Sequence, residues 1–326
     1  MNTGKCDNPD CNAAITGKCH IGNDTLTECD QWKDQVKTTK SVKKATAEHR
    51  LHIQWTGSDF KIPDIERISR RASPLILGSV GHSDSGKTSF LGVLFTLLTN
   101  GHNLSDFRFS GSETFLQWEF LMRKLKFEKG KVAFPPPTPS GGDYYSFLHL
   151  ALRNQKKHLK DILFADFSGE VFSQWSVDKN DAAVENVRWL DEYADGFLFF
   201  VNAQIIAERR MAAVYDILDM AERLNESLRG RPVIAVWSKA DHIQSVNEAH
   251  FRKIETEFAR LFGQDTLYQV SNYLDINSNP DPKSISNLTL LNDLLNKISN
   301  IKMPKMTIGI STTETDPFLT YRGHGK

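Results

Sequence analysis

LILGSVGHSDSGKTS, residues 75–89, is the stretch that decides the fold. Its first half is a short apolar run ending at Gly81, which reads as a buried strand. Its second half, Gly81-His82-Ser83-Asp84-Ser85-Gly86-Lys87-Thr88, fills the pattern G-x-x-x-x-G-K-[ST]. Beyond it, FLGVLFTLL predicts a helix from Lys87 to a stop at Asn100–Gly101. Strand, loop and helix in this order form a phosphate-binding turn. The glycines let the backbone wrap tightly, so that N–H groups of Ser83, Asp84, Ser85, Gly86, Lys87, Thr88 and Ser89 face phosphate oxygens. Lys87 reaches the β- and γ-phosphates, and the Thr88 hydroxyl ligates Mg²⁺. His82 is expected to be an exposed loop histidine.

Working outward, a second carboxylate for the metal should stand where another buried strand ends. Asp166 does so, closing DILFAD ahead of Phe167-Ser168-Gly169. In this D-x-x-G, Asp166 holds the metal's water shell and the Gly169 N–H senses the γ-phosphate. Ser238-Lys239-Ala240-Asp241 follows a third apolar run, PVIAVW. It resembles the [NT]-K-x-D motif of GTPases, which implies that Asp241 accepts two hydrogen bonds from guanine N1 and N2 while the Lys239 stem covers the base. Adenine would leave that carboxylate unpaired. Thr138, in the proline-rich loop 134–143, is the candidate switch threonine and third Mg²⁺ ligand. Ser271, after a weak strand at 267–271, is the candidate for a last contact to the base.

Further strands are predicted at 144–152, 161–166, 196–203 and 232–237, with helices at 112–128, 181–193, 204–228, 247–262 and 285–299. This alternation predicts an α/β fold, a mostly parallel sheet sandwiched by helices. The short connection between 144–152 and 161–166 makes that pair antiparallel.

Lys+Arg and Asp+Glu each total 40 in 326 residues, so overall charge gives non-specific nucleic-acid binding no support. No apolar stretch approaches the roughly 18 residues of a membrane span, and MNTGKCDNPDC lacks the apolar core of a secretory signal. The cytoplasm is therefore the expected compartment. All four cysteines, Cys6, Cys11, Cys19 and Cys29, fall near the N-terminus. In a reducing compartment that clustering predicts a structural Zn²⁺ site, whose metal would supply the folding energy of a segment with no core. His20 is an alternative ligand. The expected organisation is a Cys-rich zinc module over 1–30, a polar basic linker with some helix over 31–70, a nucleotide domain over 71–300 with an insertion at about 103–143, and a tail over 301–326.

The order GHSDSGKTS, TP, DFSGE, SKAD resembles the translation-factor-related clade of P-loop GTPases. Within it, the chain resembles the double-GTPase type of bacterial conflict and defence operons, in the FRFSGSETFLQWEF segment and the Cys-rich N-terminus as well. The resemblance implies a Ras-like P-loop NTPase fold, GTP/GDP and Mg²⁺ as ligands, and Mg²⁺-dependent hydrolysis serving a switch. It also implies protein partners, reached through the switch loops and the zinc module. Two positions depart from the family pattern. Ser238 stands where Asn or Thr is usual, and Glu170 stands where Gln often orients the attacking water. Glu170 thus joins Lys87 and Thr138 as a candidate catalytic residue, with hydrolysis expected to be slow or partner-stimulated. Arg108 and Arg123 are available arginines without an assigned role. The alternative is a non-hydrolysing GTP-bound scaffold that recruits partners through its zinc module.

Overall fold

A computed structural model describes residues 4–8, 11–16, 18–19, 25–34, 57–69, 73–128, 131–133, 138–141, 144–264, 266–270 and 287–301. The chain forms two compact units, Met1–Gln54 and Trp55–Lys326. In the first, strands β1 (Gly4–Cys6) and β2 (Trp32–Asp34) pair antiparallel, with a short helix α1 (Ala13–Thr16) between them. Cys6 and Cys29 are buried there.

The second unit begins with α2 (Ile62–Ser69), β3 (Leu75–Val80) and α3 (Lys87–Thr99). An edge strand β4 (Phe107–Gly111), helix α4 (Phe115–Lys124) and a small hairpin of β5 (Lys126–Glu128) and β6 (Lys131–Ala133) follow. Then come β7 (Phe147–Asn154), β8 (Leu159–Ala165), α5 (Gly169–Val177), α6 (Glu185–Tyr193) and β9 (Gly196–Asn202). The unit closes with α7 (Ala203–Arg209), α8 (Met211–Glu226), β10 (Val233–Ser238), α9 (Glu248–Phe262), β11 (Leu267–Gln269) and α10 (Asn287–Ser299).

Seven strands make one sheet in the order β11-β10-β9-β3-β8-β7-β4. The five from β11 to β8 run parallel, and β7 and β4 are antiparallel to their neighbours. The reason is visible in β9, GFLFFVN, which is buried along its whole length. Phe197, Phe199 and Val201 enter one core layer with α5, α6, α8 and α9, while Leu198 and Phe200 enter the other with α3, α4 and α10. A strand covered on both faces needs apolar side chains at both phases of its two-residue period. The mixed α/β architecture of a P-loop NTPase, with its antiparallel pair, agrees with the sequence expectation. The chain leaves β3 for one side of the sheet and returns to β9 on the other, so the carboxyl ends of β3, β8, β9 and β10 frame a switch-point crevice.

Three local expectations differ. The helix predicted over 204–228 is broken at Arg210, whose φ of 56° and ψ of −130° no helix tolerates. The helix predicted over 112–128 stops at Lys124, and the chain then enters the β5–β6 hairpin. Helix α5, unforeseen, starts where the Ser168 hydroxyl accepts the Glu170 N–H.

The far end of the Thr138-bearing loop is tied down twice. Asn186 of α6 donates to the carbonyls of Gly141 (3.0 Å) and Tyr144 (2.9 Å). Lys61, ahead of α2, donates to the Tyr145 carbonyl, pairs with Asp59 at 2.8 Å, and stands over the Tyr144 ring.

Candidate functional site

The phosphate loop lies where β3 gives way to α3. Gly86 caps the helix at φ +82°, a left-handed conformation that glycine adopts without strain. No side chain caps α3, so its first N–H groups are left for a ligand. Lys87, buried at the first helical position, folds back and donates to the carbonyls of Gly81 and His82 (both 2.8 Å) and to Ser85 Oγ (3.3 Å). Ser89 is buried one turn in. His82 departs from the exposed loop histidine expected: it is half-buried, with Nδ1 2.8 Å from Ser173 Oγ of α5.

Three segments far apart in sequence converge on the first turn of α3. The Thr88 hydroxyl donates to Asp166 Oδ1 at 2.9 Å, and Thr138 Oγ1 lies 3.3 Å from Thr88 Oγ1. Two hydroxyls and a carboxylate form an all-oxygen donor set, which suits a hard cation such as Mg²⁺. Gly169 packs directly on the phosphate loop: a Cβ there would fall 2.0 Å from the Ser83 nitrogen and 2.1 Å from the His82 carbonyl carbon. Glu170, next in the chain, is exposed on the wall of the same crevice.

At the other end of the loop, the Ser238 hydroxyl donates to the Val201 carbonyl at 3.2 Å, and Ser238 stands opposite Gly86. Lys239 reaches back to Asp84 Oδ2 at 2.6 Å and to Gln204 Oε1 at 3.1 Å. Asp241 sits on the following 3₁₀ turn (Ala240–Ser245), part-exposed, with His242 Nε2 3.3 Å from its carboxylate. The phosphate loop and the S-K-A-D segment thus share one crevice edge. Ser271 lies outside the described residues; β11 delivers the chain to Val270, whose carbonyl accepts the Ala240 N–H at 3.4 Å.

One binding-crevice residue escaped the sequence reading. Asn202 ends β9 opposite Ser238, and its side-chain amide donates to the Asp84 carbonyl at 2.9 Å. Its position after an apolar strand and before a helix reads equally well as an ordinary helix cap, which it also is: its side chain accepts from Ile205 N.

Burial sets the charges. Desolvation lowers the Lys87 pKa to about 8, against the opposing pull of Asp166 and Asp84. Desolvation raises Asp166 to about 6, although the Thr88 hydrogen bond and Lys87 favour its ionised form. For the empty fold, the raised Asp166 contributes stability that is full below about 3.8 and lost as pH rises through about 6. The depressed Lys87 contributes stability that is full above about 10.5 and lost as pH falls through about 8. Between those values both groups are charged, and the empty crevice has neither contribution. A magnesium–triphosphate ligand needs both charges. Its affinity is therefore expected to fall below about pH 6 and above about pH 8, by up to about tenfold per pH unit. Calorimetric titration from acid to alkali measures this, and a profile flat across both limbs would contradict the assigned charges.

None of the four cysteines is in a disulfide. The Asn8 backbone favours the Cys6 thiolate, but burial and the neighbouring Cys11 and Cys29 carry the thiol's pKa up overall. Among the described residues, no group of three or more His, Cys, Asp or Glu side chains is arranged to hold a metal ion, so the structure does not show the predicted zinc site. His20 lies outside the described residues. No described helix is long and apolar enough to cross a membrane.

The sequence model of one family, DO-GTPase2 (Double-GTPase 2), matches residues 75–295. No curated protein matches the chain. Among solved structures, the chain is similar to a variant of SsGBP, with 14% identity and a TM-score of 0.34, covering 71% of this chain and 57% of that one. It is also similar to a variant of Aquifex aeolicus Era bound to GDP·AlF₄⁻, with 17% identity and a TM-score of 0.33, covering 60% of this chain and 50% of that one. The chain thus spans between half and three-fifths of these two proteins.

Proposed function

The chain belongs to the Double-GTPase 2 family, and on that premise we propose that it is a nucleotide-dependent switch that binds GTP with Mg²⁺ and hydrolyses it to GDP and phosphate. The convergence of Thr138 and Asp166 on Thr88 carries this reading, because it joins three segments at the one hydroxyl that follows the phosphate lysine. In it, the loop from Ser83 to Ser89 cradles the phosphates, and Thr88, Thr138 and Asp166 hold the metal, Asp166 through water. Mg²⁺, when bound, neutralises phosphate charge. Lys87 stabilises charge developing on the β–γ bridge, Gly169 reports the γ-phosphate, and Glu170 orients or deprotonates the attacking water. Ser238, Lys239, Asp241 and Ser271 form the base site. The segments around 134–143 and 167–180 would be ordered by the γ-phosphate and released after its loss.

Base selection gives the direct test. Asp241→Asn replaces one acceptor oxygen with a donor that faces guanine's own amino group. GTP affinity is expected to fall by about 100-fold or more. Xanthine triphosphate, which carries a carbonyl where guanine has that amino group, should gain. If Asp241→Asn binds GTP as tightly as wild type, the base assignment is wrong.

A second reading, the GTP-bound scaffold that does not hydrolyse, draws support from Glu170, which stands in the crevice where a Gln would orient the attacking water. Zinc at Cys6, Cys11, Cys19 and Cys29 rests on their clustering in the sequence alone. Partner recruitment and a place in a bacterial defence system rest on the sequence resemblance alone.

A further inference from the structure

A cavity of 870 Å³ opens beside the phosphate loop, walled by His82, Ser83, Glu170, Arg209 and Asp216 among others. Four carboxylates line it, Glu170, Asp178, Asp181 and Asp216, against a single arginine and no lysine among the described lining residues. Such a wall favours a further cation in the cavity, beside the Lys87 and Mg²⁺ already assigned to the phosphates.

His82 does not supply one. The Ser173 hydroxyl donates to the Gly169 carbonyl at 3.0 Å, so its lone pair takes the proton of His82 Nδ1 at 2.8 Å. His82 Nε2 is buried, close to the Asp216 backbone but outside normal hydrogen-bond geometry. Burial holds this imidazole neutral: it lowers the pKa, and Lys87 and Arg209 add to that, against the pull of Asp216.

Arg209 is placed differently. It ends α7 and pairs with Asp216 Oδ2 at 2.9 Å, with both side chains substantially exposed (58% and 44%). An exposed pair of this kind is weakly held and screened by salt. The next residue, Arg210, carries the positive φ that separates α7 from α8, a conformation non-glycine residues keep only under constraint. Neither Arg108 nor Arg123 is among the lining residues: Arg108 is on the edge strand β4, and Arg123 pairs with Glu119 on its own helix.

We propose that Arg209 is a cis-acting catalytic arginine: it leaves Asp216, turns into the cavity and places its guanidinium against the γ-phosphoryl group. This rests on the GTPase reading above. In the step it serves, a water oxygen bonds to the γ-phosphorus as the bond from that phosphorus to the bridging oxygen breaks. The electron pair stays on the bridging oxygen, which becomes a terminal oxygen of GDP, and the water's proton passes to the released phosphate. Arg209 neutralises the charge that gathers on the bridging and γ-oxygens, and its forked donors span two of them, which a lysine does not do.

The test is single-turnover hydrolysis of GTP by the full chain with Mg²⁺, alongside GDP binding. Arg209→Ala is expected to slow hydrolysis by about 100-fold or more, with GDP affinity within about threefold of wild type. Arg209→Lys, which keeps length and charge and so guards against misfolding, should remain about tenfold or more below wild type. Either variant at the wild-type rate overturns the proposal. So does a wild-type chain that binds GTP but hydrolyses none without a partner, because a cis group needs none; GTP binding itself would then stand. A wild-type chain that fails to bind GTP would instead defeat the GTPase reading.

Discussion

Replacing Lys87 with alanine is expected to lower GTP affinity by more than about a thousandfold, roughly 4 kcal/mol, while the nucleotide-free fold stays standing. The lysine is buried and holds three acceptors of its own loop, the carbonyls of Gly81 and His82 and the Ser85 hydroxyl. A triphosphate would take over that ammonium, and no other lysine lies in the loop to replace it. The empty fold tells a different story. Keeping this amine charged at neutral pH costs it on the order of 3 kcal/mol, from the fall to about 8. Truncation relieves that cost and in exchange strands two carbonyls, so the two effects nearly offset. Thermal unfolding of the empty variant should shift by only a few degrees. Equilibrium binding and a melting curve, read together, separate a lost ligand contact from a lost fold. Unimpaired GTP binding would show that the loop does not hold the phosphates.

The second large effect is expected at Gly169. An alanine methyl group there would meet the Ser83 nitrogen at 2.0 Å, the His82 carbon at 2.1 Å and the His82 oxygen at 2.5 Å. All three are backbone atoms of the phosphate loop, so no side chain can swing aside. Either the loop opens or the start of α5 is pushed away. Overpacking of this kind costs about 1–3 kcal/mol, or several degrees of melting temperature in a domain of this size. Function should suffer more. Because the Gly169 N–H is assigned to the γ-phosphate, GTP affinity should fall by about 100-fold and GDP affinity much less. Equal losses for the two nucleotides would place Gly169 in general support of the loop and not in γ-phosphate sensing.

The legible parts of this chain are those whose chemistry is local. The loop through Lys87, the D-x-x-G at Asp166 and the S-K-A-D at Asp241 each consist of contiguous residues at the end of an apolar run, so spacing alone gives both the strand and the turn. Thr138 stands out in sequence only by its place in a proline-rich loop between Thr88 and Asp166, and the structure sets its hydroxyl 3.3 Å from that of Thr88. The harder residues depend on what folds next to them. Asn202 looks like a helix cap until β9 is seen beside the phosphate loop. His82 reads as exposed because Ser173, its partner, is 91 residues away. The break at Arg210 has no glycine or proline to announce it, and the residues AERRMA would continue a helix on propensity alone. β4 was missed because an edge strand with alternating half-exposed side chains carries little apolar signal. The cysteines show the opposite fault: their clustering is plain in sequence, yet clustering does not fix where four sulfur atoms come to lie.

The double anchoring of the loop beyond Thr138 has a mechanical consequence. Gly141 and Tyr144 are moored to α6 through Asn186, and Tyr145 to the start of α2 through Lys61, so the described residues that follow Thr138 are held at three carbonyls. Any tug on Thr138 is therefore felt at residues 59–61 and at 186, on opposite flanks of the sequence. Residues 59–61, ahead of α2, are thereby tied to the described residues that follow Thr138.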